Sequence, residues 1–580
     1  MAKTRIDHCL DCSDVNCQIS EHSEERDSFM LDIITAMIES SHLNIPMTGA
    51  FKSSNSRKKK EIIPGFNDLV RPHRETALFW HSIHVSAGRP NKGVLHDIMV
   101  KTRNTYHYMV RKVKKQADQI RAKNLLIASQ DGDINLIKEM KKINSKSKGG
   151  AVLPDAVEDA EGTEEIVEKF KEVYETLFNS AESSEAVQAI KESLKKNIDQ
   201  NSLSEVSKIT GLVVKKAAER MKPGKNDVSG AYSSDALLNA PDSLFECLAS
   251  CFRSFLVHGT VSRPLLICAF LPLLKSSLKD PGSTNSYRAI ASSSQILKLF
   301  DYVVLLVWGH HLSSDSLQFG YKPETSTTQC SWLVMEVAQH YLRSGTPTIL
   351  TLLDCSKAFD KCQFDILFNK LIDRGLPAIV VRALIFVYEE QVAYVSWGGT
   401  HSSLFHIRNG TRQGAVLSPV FWAAYADDLI KELRALGVGC YIANTFMGAT
   451  VYADDILLLA PTRSAMAAML SVCERYARDH NIEFSTDVVP KKSKTKCIYM
   501  CGDKNRRDYP VCLELNGRKL PFVTSANHLG HELSQDCTME LDAKIKRVDF
   551  IDKTVNIRET FSFALPTQVI QAIDKYCGDH

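Results

Sequence analysis

A chain of 580 residues, 44% hydrophobic and 24% charged, has room for several domains and a substantial core. With 71 basic against 68 acidic side chains the net charge is only +3, so the field of the whole molecule makes no case for a polyanionic partner. No run is long and apolar enough to span a bilayer, the N-terminus lacks a signal-peptide pattern, and sixteen scattered cysteines are expected as free thiols.

In chain order, residues 1–60 read as a loosely organised tail that ends in a Ser- and Lys-rich linker. Within it Cys9, Cys12, Cys17 and His22 have zinc-knuckle-like spacing with the last two ligand types exchanged. The Ser, Asp and Glu residues around them suit a mobile tail equally well, and both readings stay open. Residues 61–150 predict basic helices in which Lys101, Arg103, Arg111, Lys112, Lys114, Lys115, Arg121 and Lys123 surround Tyr106 and Tyr108. Such a stripe suits a phosphate backbone or simply a solvated helix face. Residues 151–200 read as an acidic linker and a helix. From 201 onward helices alternate with strands, which predicts a mixed α/β core (α+β-like) rather than a parallel doubly wound sheet.

The chemistry concentrates in three acids. Thr450-Val451-Tyr452 and Ile456-Leu457-Leu458-Leu459 are short β-prone runs flanking a polar tip, which predicts a hairpin carrying Asp454 and Asp455 side by side. Two adjacent carboxylates repel, and burial penalises both unless a cation neutralises them. Hard oxygen ligands without neighbouring His or Cys favour Mg²⁺. The apolar run from Ile349 to Leu353 reads as a buried strand that delivers Asp354 at its end. An acid there, beside the tip, would let two metal ions sit roughly 3.5–4 Å apart, the arrangement for in-line phosphoryl transfer. The same four letters recur as Tyr425-Ala426-Asp427-Asp428, but Phe421, Trp422, Tyr425, Leu429 and Leu433 recur at helical spacing. That copy is expected on an amphipathic helix, without a catalytic role.

Several segments together resemble, in order, the reverse transcriptases of non-long-terminal-repeat (LINE-type) retrotransposons. They are Met221 to Asp227, Leu271-Pro272-Leu273-Leu274-Lys275, Asn285 to Ile290, Phe319-Gly320-Tyr321-Lys322, the strand ending at Asp354, Asn409 to Gly414 with Leu417-Ser418-Pro419, Tyr452 to Asp455, Lys492 to Lys496, and His528-Leu529-Gly530. The resemblance implies a right-hand polymerase with fingers over 201–345, a palm with a mainly antiparallel sheet over 346–533, and the start of a thumb over 534–580. It implies Asp354, Asp454 and Asp455 as ligands of two Mg²⁺ ions, with Mn²⁺ as a substitute. Lys275 and Arg288 are implied to meet the triphosphate, and Phe359 to exclude a ribose 2′-hydroxyl. Gln413 can hydrogen-bond a sugar or base edge, and Gly414 lets backbone approach a ligand. The family's proton-donating lysine falls on Lys494, although the run from Lys491 to Lys496 also reads as a plain solvated basic stretch.

The function expected is RNA-directed DNA polymerase: a primer 3′-hydroxyl attacks a deoxynucleotide, with pyrophosphate leaving. Its partners would be an RNA template, a DNA primer or target, and dNTPs, with no membrane, in a ribonucleoprotein of cytoplasm and nucleus. No endonuclease-like segment and no full thumb is recognisable, so the chain looks like part of a polyprotein. A non-catalytic RNA-binding remnant is the alternative reading. An RNA-templated RNA polymerase is disfavoured by Phe359.

Overall fold

The computed structural model describes residues 19–44, 66–130, 153–180, 184–198, 200–276, 279–355, 358–486, 493–501, 512–560 and five positions between 566 and 573. The chain divides into two compact units, residues 1–50 with 154–541 and residues 51–153 with 542–580.

The first unit begins with helix α1 (Ile19–Asn44), where a loose tail was expected. Met30, Ile33 and Met37 lie one turn apart and are buried. Arg26 donates to Thr260 Oγ1 at 2.6 Å, and Ser262 donates to Asp27 at 2.5 Å. Phe29, Ile34 and Ile38 pack beside Met30, Ile33 and Met37, so among the described side chains an apolar face meets the core, although polar neighbours interrupt it in the sequence. The second unit is helical where the sequence predicts helices: α2 (Arg71–Ser86), α3 (Val94–Lys115) and α4 (Ala117–Gln130).

Helix α5 (Gly162–Phe178) falls where the sequence predicts a helix after the acidic linker, and its aromatic face belongs to the core. Phe170, Tyr174 and Phe178 are buried, with Phe178 stacked on Phe270 at 4.8 Å and Phe170 edge-on to Tyr287 at 5.1 Å. These aromatics cover a sheet in which β1 (Ile267–Leu274) pairs antiparallel with β2 (Tyr287–Ser293). Helix α6 (Gln295–Trp308) follows that hairpin and α7 (Thr327–Arg343) leads towards the second sheet.

The second sheet positions the site. It is built from β3 (Thr348–Asp354), β4 (Ala449–Tyr452), β5 (Asp455–Ala460) and β6 (Lys496–Met500), in the order β4-β5-β3-β6, and every pairing is antiparallel. Its strands read as unbroken apolar runs because both faces are covered. Leu350, Leu352, Leu457, Leu459 and Ile498 share a cluster with Val334 and Ala338 of α7. Ile349, Leu353, Val451, Ile456 and Leu458 face the other core, which contains Phe421 and Trp422 of helix α8 (Ser418–Ala435) and Met466 and Met469 of α9 (Arg463–Asp479). Successive side chains thus alternate between two apolar layers, the period-2 rule with no wet side. Helix α10 (Glu540–Thr560) closes the described chain. It lies almost wholly in the second unit, with 51–153, and most of 561–580 lies outside the described residues. No described helix is long and apolar enough to cross a membrane.

Candidate active site

The acids meet at one end of the second sheet. Strand register sets Asp455 directly opposite Asp354, and Tyr452 pairs with Asp455 on the other side, so Ala453 and Asp454 form a two-residue turn. The expected tip is therefore refined: Asp454 sits in the turn, while Asp455 is the first residue of β5. Of the two turn residues, Ala453 alone has positive φ, at 61°.

Electrostatics follow from this crowding. Burial raises the pKa of Asp454 above the ordinary carboxylate value, and the Asp354 carboxylate adds to the rise. Burial, then Asp454, then Asp354 push Asp455 up to about 6. The Lys494 ammonium opposes both shifts, standing 3.2 Å from each carboxyl oxygen of Asp354. Lys496, another lysine of the same run, is the first residue of β6, and Lys492 lies outside the described residues. Among the described residues no group of three or more His, Cys, Asp or Glu side chains is placed to hold a metal ion by itself. An open set of all-oxygen donors is what Mg²⁺ takes, since it keeps water and substrate phosphate in its shell and uses only one or two carboxylates. The unneutralised repulsion among Asp354, Asp454 and Asp455 fits a divalent cation at this place.

The other sequence-picked residues surround this corner. Phe359 is half-buried, edge-on to Tyr321 at 6.2 Å and 5.5 Å from Trp422. Arg288 is exposed on β2, and its charge favours ionised Asp454. Lys275 is exposed at the end of β1 and donates to the Asn285 carbonyl at 2.6 Å. Gln413 uses its amide to hold Asp360 at 3.1 Å, and its carbonyl accepts from Ala291. Gly414 has φ 107°, and a Cβ there would come 2.8 Å from the Ala291 carbonyl oxygen, so the loop tolerates only glycine at that approach. Cys9, Cys12 and Cys17 lie outside the described residues, as does the side chain of His22.

Two groups escaped the sequence reading. A cavity of about 480 Å³ is lined by Lys222, Lys225, Lys298, Tyr321 and Gly414, among others. Burial, with the charge of Arg412, pushes the Lys298 ammonium below its ordinary value against the opposing pull of Asp227 and Asp301. No spacing could reveal it, because its lysines come from separate segments. Gln318 and Trp422, which hold the Ala453 peptide, are equally invisible as a pair.

The second Tyr-Ala-Asp-Asp lies on α8. Asp427 is 3% exposed, pairs with Arg374 at 2.8 Å and accepts from the Asp315 N–H at 2.6 Å. Partial burial pushes Asp428 up, but hydrogen bonds from Lys370 and Lys431 outweigh it and hold the carboxyl at about 2. The helix is as expected; the face is not wet at Asp427, which is a buried ion-pair partner.

Residues 275–533 match the family described as reverse transcriptase (RNA-dependent DNA polymerase). The chain is 24% identical over 46% of its length to the Pol polyprotein of the type-1 retrotransposable element R2 of Nasonia vitripennis, and covers 25% of that protein. It is 24% identical over 51% of its length to the RNA-directed DNA polymerase from mobile element jockey of Drosophila melanogaster, and covers 32% of it. It thus spans about a quarter to a third of these relatives. A solved apo telomerase from Candida tropicalis aligns with 48% of this chain and 55% of its own, at a TM-score of 0.34 and 11% identity.

Proposed function

We propose that this chain, whose residues 275–533 are a reverse transcriptase domain of the LINE type, is an RNA-directed DNA polymerase that extends a primer 3′-hydroxyl with dNTPs. Reverse transcriptase domains use divalent metal and act on a nucleic-acid template and primer. The finer assignment made here is two Mg²⁺ ions on Asp354, Asp454 and Asp455, an RNA template and a DNA primer or target. The observation that carries it is the strand register that opposes Asp354 to Asp455, with Asp454 in the adjoining turn.

Bound at these acids, the metal would acidify the attacking hydroxyl and stabilise charge on the leaving oxygens. The remaining work falls to the chain itself. Lys494 holds a proton beside Asp354 and can hand it to departing pyrophosphate. Arg288 and Lys275 supply cationic hydrogen-bond donors for triphosphate oxygens. Phe359 presents a rigid ring, backed by Trp422, against the sugar. The lysine-lined recess beside Tyr321 and Gly414 suits strand phosphates.

The test is primer extension on an RNA template with Mg²⁺, comparing deoxy- with ribonucleotides. Extension with dNTPs that disappears in Asp454→Asn supports the proposal. Template binding without extension by the unmodified chain would favour the RNA-binding remnant.

A further inference from the structure

The backbone turn that carries Asp454 is gripped from outside the sheet. Residues 317–319 run along the free edge of β4, with Val451 N–H donating to the Leu317 carbonyl at 2.9 Å and Phe319 N–H to the Val451 carbonyl at 2.7 Å. This places the Gln318 side chain, fully buried, at the turn. Its Oε1 accepts from Ala453 N–H at 3.1 Å and from Gly320 N–H at 2.8 Å. On the other side, Trp422 Nε1 donates to the Ala453 carbonyl at 3.0 Å. Gly320 presses against the same peptide, where a Cβ would stand 2.4 Å from Ala453 N.

We propose that Gln318 is a positioning residue that, with Trp422, locks the Ala453 peptide and thereby aims the Asp454 carboxylate at the metal. Positive φ at only the first central residue is the pattern of a type II′ turn, which prefers glycine there. Alanine occupies that position at a steric cost, which is relieved if the peptides on either side of Ala453 rotate until its φ turns negative. The strand ladder pairs Tyr452 with Asp455 and leaves Ala453 and Asp454 unpaired, so it does not by itself hold Ala453. Gln318 Oε1, on the N–H of the peptide before Ala453, and Trp422 Nε1, on the carbonyl of the peptide after it, oppose those rotations. Gln318 also leaves its Nε2 buried without a hydrogen-bond partner. An apolar residue would avoid that loss, so packing alone does not account for glutamine here.

The inference rests on the metal site proposed above, and a metal-binding measurement separates the two. Mn²⁺ binding to the full chain is followed by electron paramagnetic resonance, alongside melting temperature and single-nucleotide extension. Gln318→Met, similar in length but without the acceptor, is expected to keep its melting temperature and its KM for dNTP. It should bind Mn²⁺ about tenfold more weakly and lose about 100-fold in kcat. Unchanged Mn²⁺ affinity and kcat in Gln318→Met would overturn the inference, as would losses that track a fall in melting temperature. If Gln318→Met does not fold, Trp422→Phe takes its place, with the same losses expected and the same result overturning it. Absence of an Asp454-dependent Mn²⁺ site in the unmodified chain would instead remove the proposed metal site, and this inference with it.

Discussion

Tyr-Ala-Asp-Asp occurs at 425–428 on a helix and at 452–455 across a turn, and identical letters acquire opposite chemistry. On the helix, each acid finds a cation: Arg374 for Asp427, and Lys370 with Lys431 for Asp428, which is held at about 2. On the hairpin, acids face acids, and Asp455 is pushed up to about 6 by burial and by Asp454 and Asp354. Among the described residues, Lys494 and the charge of Arg288 offset part of the crowding. A tetrapeptide therefore carries no function by itself. Whether its neighbours have already neutralised it decides whether it is structural or able to recruit a metal.

The contrast can be broken most forcefully at the matching first acids. Asp454→Asn should lower kcat by at least about 1,000-fold while the unfolding midpoint stays the same or rises, because the lost charge relieves the crowding; near-normal extension by the purified variant would dismiss the assignment. Asp427→Ala should do the reverse. It strands Arg374 in a buried setting and costs about 3–5 kcal/mol in urea unfolding, yet the folded fraction should keep its specific activity. Lys494→Met sharpens the hairpin side. A loss of about 100-fold in kcat at constant KM is expected if the lysine serves as proton donor, and rapid-quench extension across pH would show it. Phe359→Val, which removes the ring that Trp422 backs, should raise ribonucleotide incorporation by about 10–100-fold; unchanged sugar discrimination removes that role.

The smallest effects concern pH and have opposite signs in the two copies. Asp428 lies below its ordinary value, so its contribution to stability is present above about pH 4 and is lost as pH falls towards 2. Asp455 lies above its ordinary value. Its contribution is present below about pH 4 and is lost as pH rises through about 6. Mg²⁺ should restore that loss, giving a rise in melting temperature at pH 7 that fades at pH 5. Persistence of the full rise at pH 5, or in Asp455→Asn, would contradict this account.

Much of this was legible because strands buried on both faces write long apolar runs, and Ile349 to Asp354 and Asp455 to Ala460 are such runs. The helical copy was legible from the spacing of Phe421, Trp422, Tyr425, Leu429 and Leu433. What stayed hidden depends on partners far away in sequence. Arg374 lies 53 residues from Asp427 and Gln318 lies 135 from Ala453, and nothing local marks either pair. Helix α1 was missed because Met30, Ile33 and Met37 stand among polar residues, and the core role of α5, though not its helix, was hidden by the acidic residues at its start.

That aromatic face redraws where the catalytic body starts. The Phe178 carbonyl accepts from both Arg408 and Asn409 N–H groups, and the Asn409 amide donates to Leu177, so the C-terminus of α5 is stitched to the loop that continues to Gln413 and Gly414. An expression boundary drawn at residue 201 or 275 would strip Phe170, Tyr174 and Phe178 from β1 and β2 and leave that loop untethered. A recombinant fragment intended for crystallisation should therefore start ahead of helix α1, which belongs to the same unit, and versions that lack α5 should come out insoluble.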